Sequence, residues 1–194
     1  MYNNIQDNRM LTLYDTLKHS YKPIKEQNQF YKKYGYYLDK KLSNHNQQVL
    51  YNPTERKLLY TVAGTHNVND WMTNASIAIG GFKNTQRYKE ADRIFKEAKR
   101  KYDPKETVLT GHSQGGMTAG YVAGQNDKVF TLDRAHFINN TIRKNEQAYR
   151  TEGDLVSMLG GGHDKFKTLS NNSIWIDPIN SHNIEHIKNH KIFV

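Results

Sequence analysis

The 194-residue chain has no cysteine. That excludes disulfides, thiol nucleophiles and cysteine-held metals, and it fits a reducing, cytoplasmic setting. Long apolar runs are missing too. The richest stretch, Ala75 to Phe82, falls far short of the roughly 18–20 residues that a membrane span needs. Met1 to Asp7 lack the basic start and apolar core of a secretory signal, so a soluble protein is expected. There is no internal repeat and no low-complexity linker. Aromatic residues, however, are not scarce. They make up 11% of the chain, more than a disordered chain carries, so a folded domain with a wet surface is expected although hydrophobic content is only 36%. The length suits one domain spanning 1–194.

Charge is unbalanced, with 28 Lys and Arg against 19 Asp and Glu, a net charge of +9. A basic surface attracts phosphates, whether of nucleic acid or of anionic lipid headgroups. The cations are spread along the chain, and the densest cluster, Lys96 to Lys101, falls on the outer side of an expected helix. A solvated helix face is the plainer reading, and no specific nucleic-acid partner is expected.

Residues 7–20 carry Met10, Leu11, Leu13, Tyr14 and Leu17 at helical spacing, ended by Tyr21-Lys22-Pro23. Residues 35–52 read as extended, with a polar break at Ser43 to Asn46 and a turn at Asn52-Pro53. Lys57 to Gly64 reads as a buried strand, and residues 69–78 as a short helix. Over 84–102, Tyr88, Ala91, Ile94, Phe95, Ala98 and Tyr102 form one apolar stripe, which predicts a helix stopped by Asp103-Pro104. A strand at 107–110, a helix ending near Gly124 and a strand at 128–132 follow. This alternation predicts an α/β fold with a mostly parallel central sheet and helices on both faces. Beyond 140 the expectations are a strand near 146–151, loops around Gly160 to Gly162, a hairpin near 167–176, and a short helix or loop from 181.

One motif carries chemistry. Gly111-His112-Ser113-Gln114-Gly115 lies between an expected strand and an expected helix, as the Gly-x-Ser-x-Gly nucleophile elbow requires. The serine there sits on a strained turn, and glycines two residues either side leave room for it. The helix that follows points its N-terminus, with free N–H groups, at the reacting carbonyl. A serine nucleophile needs a base and the base a carboxylate, in the chain order Ser, Asp or Glu, His. Asp133, Asp154, Asp164 and Asp177 follow Ser113, and His163, His182, His186 and His190 follow Asp154. His182, His186 and His190 are spaced i, i+4, which would suit a metal on one helix face. They lack the carboxylate of a His-Glu-x-x-His set, and no metal or cofactor is expected.

Val108 to Gly116 resembles the elbow of the class 3, or fungal-type, lipases, which usually carry Leu where Gln114 stands. Leu59 to Thr65 followed by Asp70-Trp71 is similar to that family's strand ending in Arg-Gly-Thr or Arg-Gly-Ser, with Ala63 in place of the arginine. The resemblance covers residues 57–190. Residues 1–50 match nothing placed, and are expected to pack on the lipase-like core as a helical and extended segment. The resemblance implies an α/β-hydrolase acting on lipid esters, of lipase or phospholipase type, with Thr65 and the N–H of Gln114 as oxyanion donors. It favours Asp154, in Glu152-Gly153-Asp154-Leu155-Val156, as the acid, with Asp133 as the alternative. It favours His182 as the base, with His186 as the alternative. It also allows His66 to Ile79, with Val68, Trp71 and Met72 on one side, to be a lid over the serine; a fixed helix with Trp71 in the core is the competing reading. An acyltransferase, peptidase or thioesterase could use the same triad, and a non-catalytic basic binding protein could keep the fold. Peripheral contact with an anionic membrane fits the charge. Acyl chain, headgroup and oligomeric state are left open.

Overall fold

The computed structural model describes residues 10–65, 81–135, 142–158, 165–170 and 180–194. Two short helices, α1 (Leu13–Ser20) and α2 (Ile24–Lys32), precede strands β1 (Tyr37–Leu38), β2 (Gln47–Asn52) and β3 (Lys57–Val62). A long helix α3 (Gln86–Tyr102), strand β4 (Glu106–His112), helix α4 (Gln114–Val122) and strand β5 (Lys128–Leu132) follow. Strand β6 (Glu146–Thr151), the one-turn α5 (Leu155–Met158), strand β7 (Lys167–Leu169) and two 3₁₀ turns, Asn180–His182 and Ile184–Ile187, come next, and a further 3₁₀ turn, Phe82–Asn84, precedes α3. The seven strands form one sheet in chain order. β1, β2 and β3 pair antiparallel, and β3 to β7 pair parallel.

The near-continuous apolar run of β3 has the cause expected of it: strands of a parallel sheet are covered on both faces. Leu59 packs beside Val108, Phe130, Leu132 and Tyr149 against Leu13 and Leu17 of α1 and Tyr31 of α2. Their neighbours Leu58, Tyr60, Val62, Leu109 and Val129 point the other way, onto Ala91, Ile94, Phe95 and Ala98 of α3 and Ala119 and Val122 of α4. α3 and α4 share a face because successive right-handed crossovers that advance in one direction land on the same side. α3 is well bounded: the Thr85 hydroxyl accepts from the Tyr88 N–H at its start, and Asp103, at φ 40°, ends it.

One local expectation is corrected, and one helix is added. The first helix starts at Leu13 rather than at residue 7, because the Thr12 side chain caps it by accepting from the Asp15 N–H. Helix α2 was not anticipated; it buries little beyond Gln27 and Tyr31, too weak a stripe to read. Lys167–Leu169, within the hairpin expected near 167–176, form a strand parallel to β6. The helix expected at 69–78, the loops at Gly160 to Gly162 and the far arm of that hairpin lie outside the described residues. Among the described residues no helix is long and apolar enough to cross a membrane.

The C-terminal segment returns to α1. The Leu13 N–H donates to the Ile192 carbonyl (2.7 Å) and the Val194 N–H to the Leu11 carbonyl (3.0 Å). The Tyr14 hydroxyl and Lys18 ammonium both hold the Glu185 carboxylate, at 2.8 and 3.1 Å. The first helix thus anchors the turn that follows His182.

Candidate active site

The carboxyl ends of β3, β4, β5 and β6 lie side by side, and in open α/β sheets that edge is where ligands bind. Each end carries one of the polar residues singled out above. β4 runs into Ser113, whose backbone is left-handed, φ 57° and ψ −127°, before α4 begins at Gln114. The flanking glycines are steric necessities. A Cβ on Gly111 would run into the backbone of Gly115 and Gly116, and one on Gly115 into the carbonyls of Val62 and Ala63. Ser113 is fully buried and its Oγ has no hydrogen-bond partner among the described residues. Gln114 heads α4, where backbone N–H groups have no acceptor within the helix.

At the end of β3, Gly64 packs against the nucleophile: a Cβ there would lie 3.3 Å from that of Ser113. Thr65 follows, partly exposed. The Ala63 carbonyl is held by the guanidinium of Arg87, in the first turn of α3, which also reaches Asn46 Oδ1 at 3.5 Å. The guanidinium that the lipase-like pattern places at position 63 is thus delivered to the same strand end from another element. Nothing in the spacing of Arg87 announced this.

His182 ends the 3₁₀ turn Asn180–His182, and its Nδ1 lies 2.7 Å from Asp154 Oδ1. The second oxygen of Asp154 accepts the Ser157 N–H at 2.8 Å. A carboxylate accepts, so Nδ1 carries the ring proton and Nε2 keeps its lone pair. Nε2 is buried without a partner among the described residues. Burial works to raise the Asp154 pKa, but the hydrogen bond and charge of His182 and the Ser157 N–H hold it below the usual carboxylate value. For His182, burial pulls the pKa down; the bond to Asp154 and the charges of Asp154 and Asp133 outweigh it and leave the pKa raised.

Asp133, directly after β5, is engaged elsewhere. Its oxygens accept the Thr151 N–H (2.6 Å) and the Thr151 hydroxyl (3.0 Å). Burial first, and the charge of Asp154 second, raise its pKa to about 7. His186 lies on the next 3₁₀ turn, half-buried, its N–H donating to the Asn183 carbonyl at 3.2 Å. His163, Asp164, Asp177, Val68, Trp71 and Met72 lie outside the described residues.

The i, i+4 histidines do not stand on one α-helical face, because 182–187 is made of 3₁₀ turns. A different trio, His112, Asp133 and His182, brings potential ligand atoms within 4.8 Å of one another. Both His112 nitrogens are hydrogen-bonded, to Tyr21 and to the His182 carbonyl, and both Asp133 oxygens accept from Thr151, whereas His182 Nε2 has no partner among the described residues. His112 could ligate a metal only by giving up one of its two hydrogen bonds.

A strained serine on a strand-to-helix elbow at this edge of a parallel sheet defines the α/β-hydrolases. The fold is that of the lipases among them. The Rhizomucor miehei lipase, solved as its propeptide complex, superposes with a TM-score of 0.54 at 16% identity, over 85% of this chain and 71% of that one. A Penicillium cyclopium protein, the N225Q mutant of MDLA, gives 0.54 at 12% identity, over 84% and 76%. Comparison of the sequence with curated proteins gives no significant match. The phospholipase-like family model, described as the Tle-like phospholipase domain, matches residues 14–174, and the chain belongs to that family. It is an ester-hydrolysing enzyme of the lipase class. The family match begins within α1, so it takes in most of the N-terminal segment that motif reading left unplaced.

Proposed function

We propose that the protein hydrolyses the carboxylic esters of phospholipids through a Ser113–His182–Asp154 triad and an acyl-enzyme. One observation carries the reading: the Nδ1 of His182 is bound to Asp154 at 2.7 Å while Nε2 has no partner among the described residues, at the sheet edge that bears Ser113. Ser113 Oγ attacks the ester carbonyl as Nε2 takes its proton, and Asp154 stabilises the imidazolium. The oxyanion is received by the Gln114 N–H, with the α4 dipole behind it, and by Thr65. His182 then protonates the leaving alcohol, and a water activated by the same nitrogen releases the acyl group. No cofactor enters this scheme. The net charge of +9 favours work at an anionic phospholipid surface.

The test is labelling with a fluorophosphonate, alongside release of fatty acid from phosphatidylglycerol vesicles. Wild-type protein is expected to label and to release fatty acid; Ser113→Ala is expected to do neither. Labelling that survives in Ser113→Ala overturns the assignment. An acyltransferase on the same triad would give mostly acylated alcohol when water and an alcohol compete. A binding protein that merely keeps the fold would bind vesicles and release nothing.

A further inference from the structure

Tyr21 and His112 have no role in the mechanism above, yet they join its two halves. The Gly64 N–H lies 2.8 Å from Tyr21 Oη, and Tyr21 Oη lies 2.8 Å from His112 Nδ1. His112 Nε2 lies 3.1 Å from the backbone carbonyl of His182. The direction of this chain is fixed at both ends. A carbonyl only accepts, so the neutral His112 carries its proton on Nε2 and offers a lone pair at Nδ1. The Tyr21 hydroxyl donates into that lone pair, and its oxygen accepts the Gly64 N–H. Burial, and then the charge of His182, push the His112 pKa down to about 3, so the ring stays neutral through the range in which a lipase works. Tyr21 is the residue that ends α1, the helix that also grips the Glu185 turn after His182. Its own pKa is pushed up to about 12, chiefly by burial, so it keeps the proton it donates.

We infer that Tyr21 and His112 are positioning residues, a relay Gly64 N–H to Tyr21 to His112 to His182 carbonyl that sets the oxyanion loop and the catalytic histidine in register. The inference rests on the triad reading above. Gly64 precedes the proposed oxyanion donor Thr65, His182 is the proposed base, and His112 adjoins the nucleophile. One chain of three hydrogen bonds therefore ties all three parts of the machinery together. It also gives His112, inside the elbow motif, a role independent of the turn.

The decisive variant is Tyr21→Phe, which keeps the ring and removes one hydroxyl. A misplacement of catalytic groups by about an ångström costs on the order of 10²-fold. The expected result is a kcat lowered by roughly 10- to 100-fold with KM for a short-chain ester unchanged, and a matching slowing of fluorophosphonate inactivation, which uses the same oxyanion donors. His112→Gln keeps one acceptor and one donor on neighbouring atoms and should retain several-fold more kcat than His112→Phe. In Tyr21→Phe/His112→Phe the loss should not exceed that of the worse single change, because either break severs the same chain. Tyr21→Phe with wild-type kcat, while Ser113→Ala is inactive, overturns the relay and leaves the triad standing. So does a loss confined to KM, or a loss that multiplies in the double variant. Should Tyr21→Phe not fold, equal kcat in His112→Gln and His112→Phe overturns the relay. An active Ser113→Ala overturns the triad itself.

Discussion

Asp154→Asn changes one atom's identity and the carboxylate charge, and leaves the volume in place. In the native site Oδ1 accepts from His182 Nδ1 at 2.7 Å and Oδ2 from the Ser157 N–H at 2.8 Å. The Ser157 N–H still needs an acceptor, so the amide oxygen of Asn turns to it. The amide N–H then faces Nδ1, which can receive it only by giving up its own proton. The proton moves to Nε2, and the nitrogen meant to take the Ser113 proton has no lone pair. The negative charge that would stabilise the imidazolium is gone as well. In a serine triad this change lowers kcat about 10⁴-fold, or roughly 5.5 kcal/mol of barrier. Both hydrogen bonds survive, the one to His182 with its direction reversed, so the melting temperature should move by only a few degrees. Asp133→Asn is the matched control. Its partner is Thr151, whose hydroxyl can rotate to accept from the new amide, and kcat should stay within about tenfold of wild type. The assay is steady-state hydrolysis of a soluble p-nitrophenyl ester and of phosphatidylglycerol vesicles, with thermal unfolding of each variant. Should Asp154→Asn keep more than a few per cent of kcat, or Asp133→Asn prove the more damaging, Asp154 is not the acid.

The raised pKa of His182 sets a pH dependence. In the proposed triad its neutral form is the base, so kcat/KM should fall on acidification with a midpoint above the 6.5 of a free imidazole; a pH titration that places the limb below 6.5 contradicts this. Ser113 at φ 57° is strained for any side chain with a Cβ. Ser113→Gly should therefore melt higher than the equally inactive Ser113→Ala, by the equivalent of about 1–3 kcal/mol; calorimetry that finds the two equal counts against strain at the elbow. Asp133 has a folded pKa of about 7 against 3.8 for the free side chain. Its contribution to stability is complete below pH 3.8 and is lost as pH rises to about 7, so the melting temperature of Asp133→Asn relative to wild type should climb across that window. Gly115→Ala drives a Cβ into the backbone carbonyls of Val62, the last residue of β3, and Ala63, which follows it. It should cost several kcal/mol in urea unfolding.

The middle of the fold was legible because each element there obeys one strong rule. β3 is apolar on consecutive residues since both faces are covered, and α3 shows a single stripe because one face is wet. The Gly-x-Ser-x-Gly elbow could be read as a turn because no other residue fits at 111 or 115. Periodicity failed where elements are short. α2 has nine residues and two fully buried side chains, β7 has three residues, and neither offers enough repeats to count.

The site divides along the same line. Ser113 announces itself through its neighbours in sequence, whereas the pairing of His182 with Asp154 and of Asp133 with Thr151 is settled between strands. Order along the chain allowed either aspartate. What separates them is that β6 delivers both Thr151 and Asp154: the Thr151 N–H and hydroxyl hold Asp133 at the end of β5, while Asp154, three residues further on, reaches the histidine. Tyr21 was invisible for a stronger reason. As the last word of a short helix before Lys22-Pro23 it looks like punctuation, and its partners Gly64 and His112 lie 43 and 91 residues away. The N-terminal segment, without a catalytic motif of its own, therefore acts on the site by contact. α1 supplies Tyr21 from its end and grips the Glu185 turn from its side, so loss of α1 would loosen the proposed oxyanion loop and the proposed base together while every residue of the proposed triad remained in the chain.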